Sequence, residues 1–440
     1  MSTRPPLAAK PYWFDAKPFV VRQLGQKPPR RITRVLWLFL ALVASAELVQ
    51  AKDPLSNYDR DLADVNRRLS EPPVERTGAS PQAVHAAMLA EKALLTEAPT
   101  DLTRARDAVG AVIEEDEPRA AFVALRAKLL LQLHEVRRAT GDINWLERNA
   151  PLYPDLPGLQ TDLLIEAGKF GAARALCDSS LRHRRTWPML ARLAQVDTLL
   201  AQDSEADALY LEAEDTLTVK EMRAFAWLEM QRGRIAASRG KWDTANTHYT
   251  RAEQAYSGLW TVASCRAEAA GAQGKYAEAI ALYQTLAERT GRPELFQALG
   301  DLYRFSGNPA QAKACHDLAL AGYLASTERG EVLYYHHLAE FYADVRGDGE
   351  TALKWARRDC ELRPGARRRQ MLAWALYRKG AMKEALDEIN PVVATGLQDA
   401  HLFQQAARLN AANGRDEEAK NLLRKAASLN PGYEGFHAHF

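Results

Sequence analysis

The stretch PELFQALGDLYRFSGNPAQAKACHDLA, residues 293–319, decides the fold. Phe296, Leu299, Gly300 and Tyr303 fall at spacings of three, one and three, which puts large apolar, small and aromatic residues on one helical face. Gly307 follows, and a turn between two packed helices often needs positive φ, so the first helix is expected to stop there. Ala312 and Ala319 then lie seven apart on a second helix, where small side chains let the two helices approach closely. The stretch reads as a helix–turn–helix hairpin.

A glycine with an alanine five residues later recurs outward from this stretch, in Gly240/Ala245, Gly274/Ala279, Gly307/Ala312, Gly347/Ala352, Gly380/Ala385 and Gly414/Ala419. Successive alanines are 34, 33, 40, 33 and 34 residues apart. A fixed period of this size specifies stacked repeats rather than one globular core. The register places repeats at 226–259, 260–292, 293–326, 332–365, 366–399 and 400–433. The step of 40 implies five extra residues around Ser326–Glu331 and one more in the turn before Gly347. Gly168, Phe170 and Ala173 mark a weaker unit at 154–187; Ala206, Tyr210 and Ala213 mark another at about 188–220, without its turn glycine.

This unit resembles the tetratricopeptide repeat, a helix–turn–helix of about 34 residues with the pattern W-x2-L-G-x2-Y…A-x3-F…P. The proline ending stands in Leu362-Arg363-Pro364-Gly365 and Leu429-Asn430-Pro431-Gly432, whereas the tryptophan position is never Trp in the six good units. The resemblance covers residues 154–433, as about eight repeats. It implies an all-α fold: a right-handed α-α superhelix of antiparallel helix pairs, of the bacterial envelope type. Residues 434–440 are left as a tail.

Before the repeats, residues 52–153 read as a helical cap or degenerate repeats, with helices at Ser80–Ala98 and Leu102–Glu115 separated by Pro99-Thr100. A long amphipathic helix is expected over Pro118–Thr140, ending at Gly141. No stretch alternates with period two over a strand's length, so no sheet is expected.

Residues 1–34 are proline-rich and basic. Val35–Ala46 runs twelve residues without a charge, about 18 Å as a helix and short of the ~30 Å hydrocarbon core. With Arg30, Arg31 and Arg34 before it and Ala44-Ser45-Ala46 or Val49-Gln50-Ala51 after it, residues 35–51 are expected to be a signal peptide cleaved after Ala46 or Ala51. The basic region is long for a signal, which a translation start near Val20 to Leu24 would explain. The expected location is periplasmic or extracellular, with no stable membrane span after cleavage; the alternative is an anchor formed by residues 35–46.

The whole chain carries +2, but residues 1–46 hold eight Lys/Arg against Asp15 alone, so the exported part is near −5. That balance lacks the basic footprint of a nucleic-acid binder. Arg182-His183-Arg184-Arg185 and the arginines at 357, 358, 363, 367, 368 and 369 read as solvated helix ends and turns. Cys177, Cys265, Cys315 and Cys360 lack metal or redox spacing and read as structural thiols, with a Cys315–Cys360 bridge left open for an exported chain.

No catalytic, cofactor or metal residue is assigned. Nucleophile-elbow, P-loop and dinucleotide motifs are absent from the sequence, and Gly274-Lys275, superficially phosphate-binding, already serves as a repeat turn. His336 and Glu340 share a helical face, but the repeat register makes them groove positions, and His437-Ala438-His439 reads as a frayed tail.

In the resembling repeats, the first helices line a concave face through their positions 2, 5, 9, 12 and 13. Position 9 carries over to Arg234, Glu268, Asp301, Glu340, Trp374 and Arg408, and position 5 includes Gln297, His336, Gln370 and Gln404. Tyr377 and Arg378 stand beside Trp374 at positions 12 and 13. The expectation is a groove with an acidic middle and an aromatic stop, suited to a protein or peptide segment carrying Lys or Arg. The function expected is a non-catalytic scaffold in envelope assembly or regulation. The alternatives are a docking or regulatory subunit of an enzyme, and a self-associating structural solenoid.

Overall fold

Seven glycines, Gly168, Gly240, Gly274, Gly307, Gly347, Gly380 and Gly414, sit between paired helices with φ of 66–93°. The residue after each closes the helix behind it. Lys169, Lys241, Lys275 and Arg415 donate their backbone N–H to the carbonyls of Leu164, Ala236, Ala270 and Asn410, five residues back, at 2.8–3.0 Å. This satisfies carbonyls that a helix end otherwise orphans.

The computed structural model describes residues 55–72, 80–115, 119–432 and 434–436, all within one unit that begins at Leu55. The proline-rich segment, the signal-like segment and His437-Ala438-His439 lie outside the described residues. After a leading helix α1 (Asn57–Ser70) come α2 (Pro81–Thr96), α3 (Pro99–Glu115), α4 (Ala120–Gln132), α5 (Val136–Asn149), α6 (Leu156–Glu166), α7 (Phe170–His183), α8 (Trp187–Leu199) and α9 (Asp203–Asp215). The chain continues through α10 (Met222–Ser238), α11 (Trp242–Ala255), α12 (Trp260–Ala272), α13 (Tyr276–Thr290), α14 (Pro293–Phe305) and α15 (Pro309–Glu328). It ends with α16 (Tyr335–Glu340), α17 (Gly349–Leu362), α18 (Ala366–Lys379), α19 (Met382–Val393), α20 (Ala400–Ala412) and α21 (Asp416–Leu429). From α2 onward the helices pack as successive hairpins, each on the next. All regular structure among the described residues is helical, and the fold is an α-α solenoid of antiparallel pairs.

Two details depart from the sequence reading. Pro99 opens α3 instead of separating two helices, because a proline at the first helical position lacks only an N–H that would go unbonded there. The expected long helix over Pro118–Thr140 is broken: it turns at Leu133–Glu135, and Gly141 lies inside α5. The turn has the geometry of the glycine turns. His134 takes φ 61°, and Glu135 N–H reaches the Leu130 carbonyl at 2.8 Å. Folding back lets Ile143 and Leu146 bury against Val123, Ala124 and Ala127, which one straight helix could not do. Ala201, at φ 56°, fills the same role between α8 and α9, where a turn glycine is missing.

The 40-residue step resolves into two insertions. α15 runs 20 residues to Glu328, absorbing the extra length. The single additional residue produces a π-helical segment at Phe341–Val345, where Arg346 N–H bonds to the Phe341 carbonyl at 3.1 Å. Asp348 N–H consequently reaches six residues back, to Tyr342, instead of five.

Within each hairpin the rung alanines lie at the helix contact, with Ala173, Ala206, Ala245, Ala279, Ala352 and Ala385 fully buried. Gly300 faces the His316 ring and Gly233 the Tyr249 ring so closely that no Cβ fits at either place. Contact also extends beyond neighbouring repeats. Tyr58 N–H bonds to the Ser257 carbonyl, Arg292 to the Glu97 carbonyl, Arg137 to the Glu361 carbonyl, and Gln398 N–H to the Leu199 carbonyl, at 2.6–3.1 Å. Phe170, Ala173 and Val196 share one apolar core with α16–α21. Partners about six repeats apart thus touch, so successive turns of the solenoid pack on one another.

Candidate partner-binding face

The first helices of the hairpins carry the residues assigned to the groove, and the structure treats them unequally. Gln297 and Asp301 on α14 are buried and engaged from α15: Tyr323 Oη donates to Gln297 Oε1 at 2.8 Å, and Asp301 Oδ1 lies 3.1 Å from His316 Nε2. Arg304 adds an ion pair to Asp301 at 3.0 Å. Glu340 is buried at the end of α16, while Glu268 on α12 is half-buried. Of the three acidic residues, Glu268 presents the most surface.

Arg234 on α10 is open to solvent, although protein surrounds it on its flanks. Burial works against its charge, but Cys265, Tyr249, Glu268 and Tyr210 around it more than compensate, and its pKa rises. Burial in turn pushes the Cys265 thiol up to about 11, with Arg234 opposing. All four cysteines are free thiols.

A second group gathers on α18 and α20. Trp374 is buried, with Nε1 donating to Asp344 at 2.9 Å, and Tyr377 stacks on it at 5.1 Å between ring centroids. The guanidinium groups of Arg378 and Arg408 stand 6.0 and 5.8 Å from the Trp374 ring centre. Arg378 is fixed by its Nε, which donates to the Ala343 carbonyl at 2.8 Å. Gln370 Nε2 donates to Gln405 Oε1 at 3.0 Å, and Gln404 is half-buried beside them. Arg378, Arg408, Tyr377 and Gln404 keep accessible surface, so this end presents the half-buried Tyr377 ring, backed by the covered Trp374 and edged by two cations.

His336 sits apart from that group, at the contact between turns of the solenoid. Burial holds its pKa well below the usual histidine range; Glu340 opposes the shift, while Arg368, His337 and Arg363 reinforce it. His134, from the α4–α5 turn, belongs to the same cluster and is lowered for the same reason, with Arg363 and Arg368 as its largest charged neighbours. The sequence reading did not find this cluster. It took the arginines at 357–369 as one solvated run, whereas Arg357, Arg358, Arg367 and Arg369 are exposed and Arg363 and Arg368 are not. No helical periodicity marks a contact between residues more than 200 positions apart. The tail also folds back: Phe436 is buried, edge-on to Tyr283 and Phe305 at 6.4 and 5.8 Å.

Comparison with curated proteins finds no match. Among solved structures, Cut9 in the APC/C Cut9–Hcn1 hetero-tetramer is 15% identical, covering 90% of this chain and 86% of that one, with a TM-score of 0.41. The human IFIT1 dimer with PPP-AAAA is 12% identical, covering 84% and 95%, with a TM-score of 0.45. A tetratricopeptide repeat protein from Parabacteroides merdae is 19% identical, covering 55% and 93%, with a TM-score of 0.34. Residues 400–433, the hairpin of α20 and α21, match the tetratricopeptide repeat family, and the hairpins from α4 onward repeat its positive-φ turn residue and the buried alanine five residues later.

Proposed function

We propose that this chain is a non-catalytic scaffold that binds a segment of another protein along the inner face of its solenoid. The observation that carries the reading is the platform on α18 and α20: a stacked Trp374–Tyr377 pair with Arg378 and Arg408 at its rim. Packed aromatic and arginine residues dominate binding energy at protein interfaces. A segment that runs from the platform toward Glu268 and Arg234 crosses accessible groups of both signs. A partial basic character in that segment suits Glu268, the acidic residue of the three that keeps accessible surface.

The scaffold would act outside the cytoplasm, in assembly or regulation of an envelope complex, on the strength of the apolar run Val35–Ala46 and the small-residue sites that follow it. N-terminal sequencing of the mature protein checks this: a chain beginning after Ala46 or Ala51 supports export, and a cytosolic chain that keeps residues 1–34 overturns it.

Capture from envelope extracts, followed by affinity measurement with the purified partner, tests the groove. Tyr377→Ala with Arg408→Ala should weaken binding by about 2 kcal/mol or more, as loss of hot-spot contacts does. Glu268→Gln should reduce both affinity and its salt dependence for a basic segment. Unchanged binding in both variants overturns the proposed site.

A further inference from the structure

We propose that the hollow between α12, α13 and α14 is a docking pocket for an aromatic side chain of the bound protein segment, and that Phe436, from the stretch after α21, occupies it in competition with that partner. The inference rests on the segment-binding reading above and adds a second anchor to it. Phe436 is 3% exposed. Its ring stands edge-on to Tyr283 of α13 and Phe305 of α14, at 6.4 and 5.8 Å between ring centroids. Helix α12 makes room for it. A Cβ on Gly271 would come within 2.5 Å of Phe436 Cδ1, whereas the next side chain, Leu302, is 3.4 Å away. Gly271 is not needed for the turn, which Gly274 makes at φ 75°. In the other five units from residue 226 onward, the position of Gly271 holds Ala237, Arg304, Ala343, Tyr377 and Ala411, so the side chain is left out only where the ring sits.

Position places the pocket on the partner-binding face. In the repeat register Gly271 and Phe305 stand where Tyr377 and Arg378 stand in α18. Gly271 also follows Glu268 by three residues and Phe305 follows Asp301 by four, spacings that share a helical face. A segment that reaches Glu268 is therefore one helical turn from the Phe436 ring. Attachment makes the ring a removable occupant. Pro431, Gly432, Glu434 and Gly435 are exposed around it, and the stretch turns on bonds within itself, Gly432 N–H to Asn430 Oδ1 at 2.9 Å and Gly435 N–H to the Gly432 carbonyl at 3.0 Å. Phe305 remains 48% exposed with the ring in place, so the pocket wall is reachable from solvent. Apolar walls and edge-on rings select an aromatic side chain. Burying one such side chain shifts an equilibrium by about tenfold to a hundredfold, which a partner with further contacts at Tyr377 and Glu268 can overcome.

The test adds a synthetic peptide of residues 430–436, with a fluorinated ring at Phe436, to the full chain carrying Phe436→Ala, and reads uptake by fluorine NMR. Saturable uptake is expected. The unaltered chain should take up the peptide about tenfold more weakly or worse, because its own tethered ring competes at an effective concentration of about a millimolar. Gly271→Ala combined with Phe436→Ala should abolish uptake, since the added methyl fills the place of the ring and meets Leu302 only at ordinary contact distance. No uptake by Phe436→Ala, or uptake that Gly271→Ala leaves unchanged, overturns the pocket. Failure of Phe436→Ala to fold would make the ring a fixed part of the core and overturn it as well. With the captured partner, Phe436→Ala should raise affinity about tenfold, and unchanged affinity overturns the competition. The peptide measurements need no partner, so they decide the pocket even where the Tyr377→Ala and Arg408→Ala test goes against the segment-binding reading.

Discussion

The turn at Gly414, between α20 and α21, and the turn at His134, between α4 and α5, share one backbone and differ in chemistry. Both central residues lie at positive φ, 71° and 61°, and both are followed by an N–H bonded five residues back, at 3.0 and 2.8 Å. Both also have a buried alanine five residues on, Ala419 and Ala139. Glycine takes the left-handed conformation freely; a residue with a Cβ is disfavoured there by about 1–2 kcal/mol. The difference lies in what holds each turn. Gly414 has open space around it. His134 has Arg368 against its ring and Arg137 nearby donating to the Glu361 carbonyl at 2.6 Å. The C-terminal hairpins are specified locally, and the N-terminal ones rest in part on the turn of solenoid packed against them.

Breaking that support should have the largest effect. Gly365 has φ −179°, a conformation open to any residue, yet a Cβ there would press into the Glu166 carbonyl oxygen across the contact. Gly365→Val should therefore cost about 3 kcal/mol of unfolding free energy by overpacking, read from denaturant titration. Hydrogen exchange should show the loss in α5–α8 more than in α20 and α21. Loss spread evenly over the chain would mean that the contact between turns does not support the N-terminal hairpins.

Exchanging turn residues sharpens the comparison at lower cost. A Cβ on Gly274 meets nothing, so Gly274→Ala isolates the price of positive φ, about 1 kcal/mol of lost stability. Ala201→Gly should act in the opposite direction, gaining about 1 kcal/mol, because Ala201 already holds φ 56°. His134→Gly should gain less than Ala201→Gly, since the relief is offset by loss of the ring beside Arg368. Equal gains at the two positions would show that this ring contributes nothing to the turn.

The same contrast explains which parts of the structure were legible in the sequence. The repeats from residue 226 onward were readable because glycine marks the turn and alanine marks the helix contact, and both follow from local geometry. Even the irregular step was readable as a count of surplus residues, which became the long α15 and the π segment at Phe341–Val345. The hairpin of α4 and α5 was missed because His134 carries no turn signal, although Ala139 stands five residues after it as in every later repeat. For the candidate site, the repeat register identified residues on the first helices, including the Trp374 platform. Which of them stay accessible depends on partners such as Tyr323, His316 and Asp344, and the register does not encode those. The His134–Arg363–Arg368 cluster depends on how far the solenoid curves per repeat, a sum of small rotations that no single motif displays.

A last comparison separates two regions by the sign of their response to acid. Glu214, at the end of α9, is pushed up from the ordinary 4.5 to about 7 by burial and by the charge of Glu229, which Arg232 only partly offsets. Between pH 7 and 4.5 the native chain holds a proton there that the unfolded chain lacks. This group therefore adds stability as pH falls through that window and loses it as pH rises through 7. His134 and His336 behave in the opposite way. Their native values lie well below the ordinary 6.5, so below that pH the unfolded chain takes up protons that the native chain refuses, and stability falls as pH falls. Acidification from 7 should accordingly increase hydrogen-exchange protection where α9 meets α10 and α11, and reduce it where the α4–α5 turn meets α17 and α18. Glu214→Gln should abolish the first change and leave the second. Two regions that loosen together, with no effect of Glu214→Gln, would show that the carboxylate pair is ionised throughout and that the histidine contact alone sets the response.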